Sequence, residues 1–220
     1  MSTCVQIPHM SALTYQERPA EGAPRGLLFL HHGRGADELD LLGLADVLDS
    51  ERRLHAVTPR GPLTLPGSPG YHWYVVPRVG YPDPVTFHAA FEALTSFHDE
   101  LWERTGIAPE RTIFGGFSMG SVMSYATGLS GDRPKPGGLL VFSGFIPTVE
   151  GWEPDLSRND VPVFIAHGRR DPVMNVEFAR QARELLEGAG FDVEYHESDA
   201  GHFIDPNHIP NAVRWLSERL

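Results

Sequence analysis

Thr112-Ile113-Phe114-Gly115-Gly116-Phe117-Ser118-Met119-Gly120 reads as an apolar run, then Gly-x-Ser-x-Gly, followed by a helical pattern that ends at Leu129. This order of strand, tight turn and helix is what a nucleophile elbow requires. A serine hydroxyl is a poor nucleophile until a base takes its proton. Set on a sharp strand-to-helix turn, the oxygen stands clear of the sheet, within reach of a histidine. The turn crowds its own backbone, so the positions two before and two after the serine must be small, and Gly116 and Gly120 meet that need. A bare Gly-rich turn is the plainer reading of the pentapeptide. The strand before it and the helix after it favour the nucleophile.

Outward from the elbow, apolar runs alternate with helical patterns. Gly26 to His31, Leu54 to Thr58, Arg111 to Phe114, Leu139 to Phe142, Val163 to His167 and Phe191 to Glu197 read as strands. Asp37 to Asp49, Val85 to Arg104, Ser118 to Leu129, Val176 to Glu187 and Asn207 to Leu220 carry apolar residues near helical spacing. This alternation predicts an α/β fold, a mostly parallel central sheet with helices on both faces. Val5 to Ile7 and Ala12 to Gln16 are candidates for an antiparallel edge. Gly61 to Pro84 is a loop rich in Gly, Pro and aromatics. No linker separates two cores, so residues 1–220 are expected to form a single domain.

Composition narrows the function. The chain has 29 acidic against 18 basic residues, a net charge of −11. Without an excess of Lys and Arg to neutralise phosphates, nucleic acid is an unexpected partner. The only cysteine, Cys4, excludes an intrachain disulfide and fits a reducing compartment. The opening residues lack a basic stretch followed by an apolar run, and no apolar stretch is long enough for a transmembrane segment. A cytoplasmic protein is therefore expected.

An elbow serine needs a base, an acid to orient the base, and an oxyanion hole. Acid and base should follow later strands, in that order. Asp171 follows the strand at Val163, and His202 follows the strand at Phe191. Asp199 lies too close to His202 to orient it, and Asp205, before Pro206, reads as a helix cap. His55, His72, His88 and His98 precede the elbow, and His196 lies within a strand. The catalytic candidates are thus Ser118, Asp171 and His202. The backbone N–H of Met119 is one expected oxyanion donor. The loop His31-His32-Gly33-Arg34-Gly35-Ala36-Asp37 offers the other at Arg34. His31 and His32 are adjacent on a strand and face opposite sides, which argues against a shared metal. Trp73, Phe145, Ile146, Met174 and Phe203 flank these loops and are the expected substrate-binding residues.

Four ordered motifs, His31 to Asp37, Gly116 to Gly120, His167 to Pro172 and Gly201-His202, together with Trp73-Tyr74, resemble the phospholipase/carboxylesterase family of α/β-hydrolases. That family includes the acyl-protein thioesterases and small bacterial esterases. Two features depart from its pattern. A second His precedes the loop glycine, and Arg34 stands where Leu is common. Dienelactone hydrolases are also similar, but their usual nucleophile is Cys. The resemblance implies an α/β-hydrolase fold with a minimal lid and a serine esterase that uses no cofactor and no metal. The longest non-catalytic insertion candidate, Gly61 to Pro84, leaves little room for a cap, so an open cleft for a small-molecule ester of small or medium chain length is expected. Thioester or lysophospholipid hydrolysis, acyl transfer to an acceptor other than water, and ligand binding without turnover are the alternatives. Val213, Trp215, Leu216 and Leu220 form an apolar C-terminal face, for packing inside the chain or against a second subunit in a homodimer.

Overall fold

The structure, a computed structural model, describes residues 13–219. Cys4, the Val5 to Ile7 segment and Leu220 lie outside the described residues. Seven strands form one sheet: β1 (Tyr15–Arg18), β2 (Gly26–His31), β3 (Leu54–Pro59), β4 (Thr112–Phe117), β5 (Gly138–Phe142), β6 (Val163–Gly168) and β7 (Val193–Ser198). Their order is β1-β3-β2-β4-β5-β6-β7. All neighbours are parallel except β1, which pairs antiparallel with β3 along the edge.

Alternating side chains of the central strands go to opposite faces. Leu27, Phe29, Leu139, Val141, Val163 and Ile165 pack into one core, with residues of α2 (Pro84–Thr105), α3 (Met119–Gly128) and α4 (Glu177–Gly188). Leu28, Leu30, Leu140 and Phe164 enter a second core, with α1 (Leu42–Leu48) and α5 (Ile209–Ser217). Strands buried on both faces read as continuous apolar runs, which is why the sequence revealed them.

Two helices are shorter than the periodicity suggests. Residues 37–41 form turns, not the start of α1, which begins at Leu42. Glu38 is held by Arg60 beneath the segment, the Asp37 carboxylate accepts the Leu39 N–H, and Ala36 bridges to Tyr71. These contacts spend the segment's polar groups outside a helix. At the C-terminus, Asp205 caps a short 3₁₀ turn over Pro206–His208, and α5 begins only at Ile209. Trp215 and Leu216 of α5 are buried in the second core, with the Trp215 ring 6.0 Å from that of Phe164. The face that suggested a homodimer is therefore largely consumed inside the chain.

The topology sets up the site. From β2 the chain steps to β3 on one side, then returns through α2 to β4 on the other. The two strands flanking this reversal pair directly, His31 opposite Gly116. Open α/β sheets bind ligands at the carboxyl ends of strands flanking such a switch point.

Candidate functional site

Ser118 follows β4 and precedes α3, with φ 55° and ψ −119°, a conformation that L residues rarely adopt. Close packing makes this turn possible. A Cβ on Gly116 would lie 2.6 Å from the Gly120 carbonyl carbon, and one on Gly120 would lie 1.9 Å from the His31 oxygen. Both glycines are therefore steric requirements. The Ser118 N–H donates to Phe142 O at 2.9 Å, anchoring the turn to β5. The side chain lies at the amino end of α3, where the helix dipole favours negative charge.

His202 and Asp171 come from loops after β7 and β6. A Cβ on Gly168 would lie 2.3 Å from Ala200 O, so the two loops can dock only with glycine there. Arg169 N–H donates to Ser198 O and Arg170 N–H to Ala200 O, locking them together. Asp171 Oδ1 accepts the N–H groups of Val173 and Met174, and Oδ2 lies 2.6 Å from His202 Nδ1. A carboxylate only accepts, so Nδ1 carries the proton and the Nε2 lone pair is free. Nε2 lies 2.9 Å from Ser118 Oγ. The expected three residues are thus joined in one hydrogen-bonded line. His167, buried under Asp171, clasps the same loop through Nε2 and Met174 O at 2.7 Å, and burial holds its pKa below the ordinary value.

The loop after β2 is fixed by its second histidine. His32 Nδ1 lies 2.7 Å from Gly33 O, and Nε2 accepts the Gly61 N–H at 2.8 Å. Burial depresses the His32 pKa, keeping the neutral form this pattern needs. The Trp73 indole N–H donates to His32 O at 2.9 Å. Both nitrogens of His32 are thus spent on the loop. The extra histidine is a strut, and no group of three metal-ligating side chains occurs among the described residues. Arg34 and Met119 both line the cavity over Ser118. Among the described residues no protein group accepts either backbone N–H.

That cavity, of about 380 Å³, is lined by Ser118, His202, Phe145 and Met174, as expected, and also by Tyr74, Val76, Val79, Val173, Phe117 and Asp40. Three expected substrate-binding residues are elsewhere. Trp73 is fully buried as a prop for the β2 loop. Ile146 lines a separate apolar cavity of about 240 Å³ beside Phe178 and Leu185. Phe203 is exposed, beyond the tight turn that Gly201 O makes with its N–H. Neighbouring residues line the cavity in their place. Tyr74 succeeds Trp73, and Val173 joins Met174. Their apolar type and their place beside candidate loops were the available signals.

Comparison with known proteins places the chain in a family and a fold. The family model described as phospholipase/carboxylesterase matches residues 17–219. An acyl-protein thioesterase 1 of Yarrowia lipolytica is 25% identical over 217 residues, covering 92% of this chain and 95% of its own. The corresponding protein of Debaryomyces hansenii is 29% identical over 175 residues, 76% of this chain and 73% of the relative. Among solved structures, the esterase PE8 superposes with a TM-score of 0.83 at 31% identity, over 96% of this chain and 100% of that one. The carboxylesterase of Bacillus cereus, at 24% identity and a TM-score of 0.81 over 94% of this chain and 95% of its own, shares the fold. With a match that runs from the edge strand to the last helix, this chain belongs to the phospholipase/carboxylesterase family of α/β-hydrolases.

Proposed function

We propose that the protein is a serine carboxylesterase that cleaves small or medium-chain esters through an acyl-enzyme. The observation that carries this reading is the line Asp171–His202–Ser118, with links of 2.6 and 2.9 Å, opening on an apolar-walled cavity. In this reading Ser118 attacks the ester carbonyl while His202 Nε2 takes its proton. Asp171 holds the His202 tautomer and stabilises the imidazolium. The Met119 and Arg34 N–H groups receive the developing oxyanion, each worth ~2.7–4 kcal/mol of transition-state stabilisation. His202 then protonates the leaving alcohol, and afterwards activates the water that releases the acid.

The test is hydrolysis of 4-nitrophenyl esters across acyl lengths, wild type beside Ser118→Ala. Activity that vanishes with Ser118 is expected, with an optimum at short or medium chains. Equal activity in the two proteins would overturn the assignment. A thioesterase is the second reading, favoured by relatives that carry the name acyl-protein thioesterase. Matched oxygen and sulfur esters of one acyl group separate the two by their kcat/KM.

A further inference from the structure

Arg34 is unusual among the cations of this acidic chain. Most described arginines lie within 4.0 Å of a carboxylate, among them Arg18, Arg60, Arg169 and Arg214. Arg111 and Arg158 donate to backbone carbonyls, and Arg78 lies over the Tyr81 ring. Among the described residues, Arg34 and Arg25 alone have no carboxylate, carbonyl or aromatic face against the guanidinium. Arg25 precedes β2, at the amino ends of the parallel strands. Arg34 follows β2 and lines the cavity over Ser118. Asp40, itself exposed, lines the same cavity without coming within ion-pair distance of Arg34. His72, near enough for the Arg34 charge to help lower its pKa, is buried with both ring nitrogens unpartnered. No described residue of the wall lies within ion-pair distance of the guanidinium.

The root of this side chain is fixed. Gly35 N–H donates to Tyr71 O at 2.9 Å, Ala36 N–H approaches Gly33 O at 3.4 Å, and His32 holds Gly33. The Arg34 main chain lies beside the reacting carbonyl in the proposed mechanism, so its guanidinium sweeps a shell only a few bonds from that carbon. A guanidinium fits carboxylate geometry with paired N–H donors. The protein as a whole, at −11, repels anions, so a preference for an anionic ester must come from a local cation.

We propose that the Arg34 side chain forms an anion subsite on the cavity wall, so that the enzyme favours esters carrying a carboxylate a few bonds from the scissile carbonyl. This rests on the esterase reading above and names its substrate class.

Two ester pairs test it. Mono-4-nitrophenyl glutarate against its methyl-capped form puts the charge on the acyl side, and 4-acetoxybenzoate against its methyl ester puts it on the leaving group. The readout is the ratio of kcat/KM, anionic over neutral, within each pair. The neutral ester of each pair reports any damage to the loop. Wild type is expected to favour the anion in at least one pair. Arg34→Leu should lower that ratio about tenfold, the size of one charge-assisted hydrogen bond, and Arg34→Lys should keep part of it. In wild type the ratio should also shrink at about 1 M salt, where screening acts over about 3 Å. Ratios unchanged by Arg34→Leu in both pairs, or unmoved by salt, would overturn the proposal while leaving the esterase intact. Wild type inactive on all four esters would instead bring down the esterase reading, and this one with it.

Discussion

Among the described residues, two serine–histidine pairs stand at the same separation. His202 Nε2 lies 2.9 Å from Ser118 Oγ, and His31 Nδ1 lies 2.9 Å from Oγ of Ser124, inside α3. Proton direction separates them. Ser124 lies 2.9 Å from Gly115 O and 3.1 Å from Gly120 O, so its hydroxyl hydrogen goes to a carbonyl and its oxygen accepts from His31 Nδ1–H. The remaining lone pair of His31 faces His98 Nε2 at 3.4 Å. In the outer pair Asp171 fixes the opposite sense, and the serine donates. His31 and Ser124 are also sealed from solvent, whereas Ser118 opens on the cavity. Burial pushes the His31 pKa down to about 3 and that of His98 well below the ordinary value. In the proposed mechanism, distance alone therefore does not make a nucleophile. The tautomer, set by the third partner, and access to substrate do.

Removing each serine is the widest test of this contrast. Ser118→Ala should cost about 10⁶-fold in kcat. Ser124→Ala should leave kcat within the same order of magnitude, and equal losses from the two would erase the distinction. Asp171→Asn attacks the tautomer directly. It should lower kcat about 10⁴-fold while the fold persists by circular dichroism. Gly120→Ala strikes both pairs, because its Cβ would meet the His31 carbonyl at 1.9 Å. It should lower stability by about 3 kcal/mol or more in urea titrations and abolish turnover.

Smaller effects sharpen the inner pair. Ser124→Ala orphans His31 Nδ1 and should cost about 1–3 kcal/mol of stability. The depressed pKa values of His31 and His98 give a pH signature. Below the unfolded pKa near 6.5 the unfolded chain takes up protons that the folded chain refuses. Stability gained from these groups is thus full above about pH 6.5 and lost as pH falls below it, for His31 down to about pH 3 and at about 1.4 kcal/mol per pH unit. Urea midpoints measured from pH 7 to pH 4 should show this slope, and His98→Phe should reduce it.

Much of this was legible in the chain because the signals were local. The buried strands announced themselves as apolar runs, and Gly116 and Gly120 framed Ser118. The order of Ser118, Asp171 and His202 along the sequence followed the order of strand ends. Less was legible where facing decided the matter. Trp73, Ile146 and Phe203 stood in the right loops but on the wrong sides of them, and the cavity took Tyr74 and Val173 instead. The early part of α1 failed because Arg60 holds Glu38 from outside the segment, the Asp37 carboxylate takes the Leu39 N–H, and Tyr71 pairs with Ala36 just before it.

The sequence by itself determined the strands, the elbow and the types of residue that chemistry would need, since periodicity and steric demand act between neighbours. Only the tertiary structure decided which histidine faces which serine, and with which nitrogen. It also decided that Gly168 admits the His202 loop, that His32 is a strut, and that Arg34 has no partner among the described residues. Those outcomes depend on long-range packing, in which a group's partners come from strands far away in the chain.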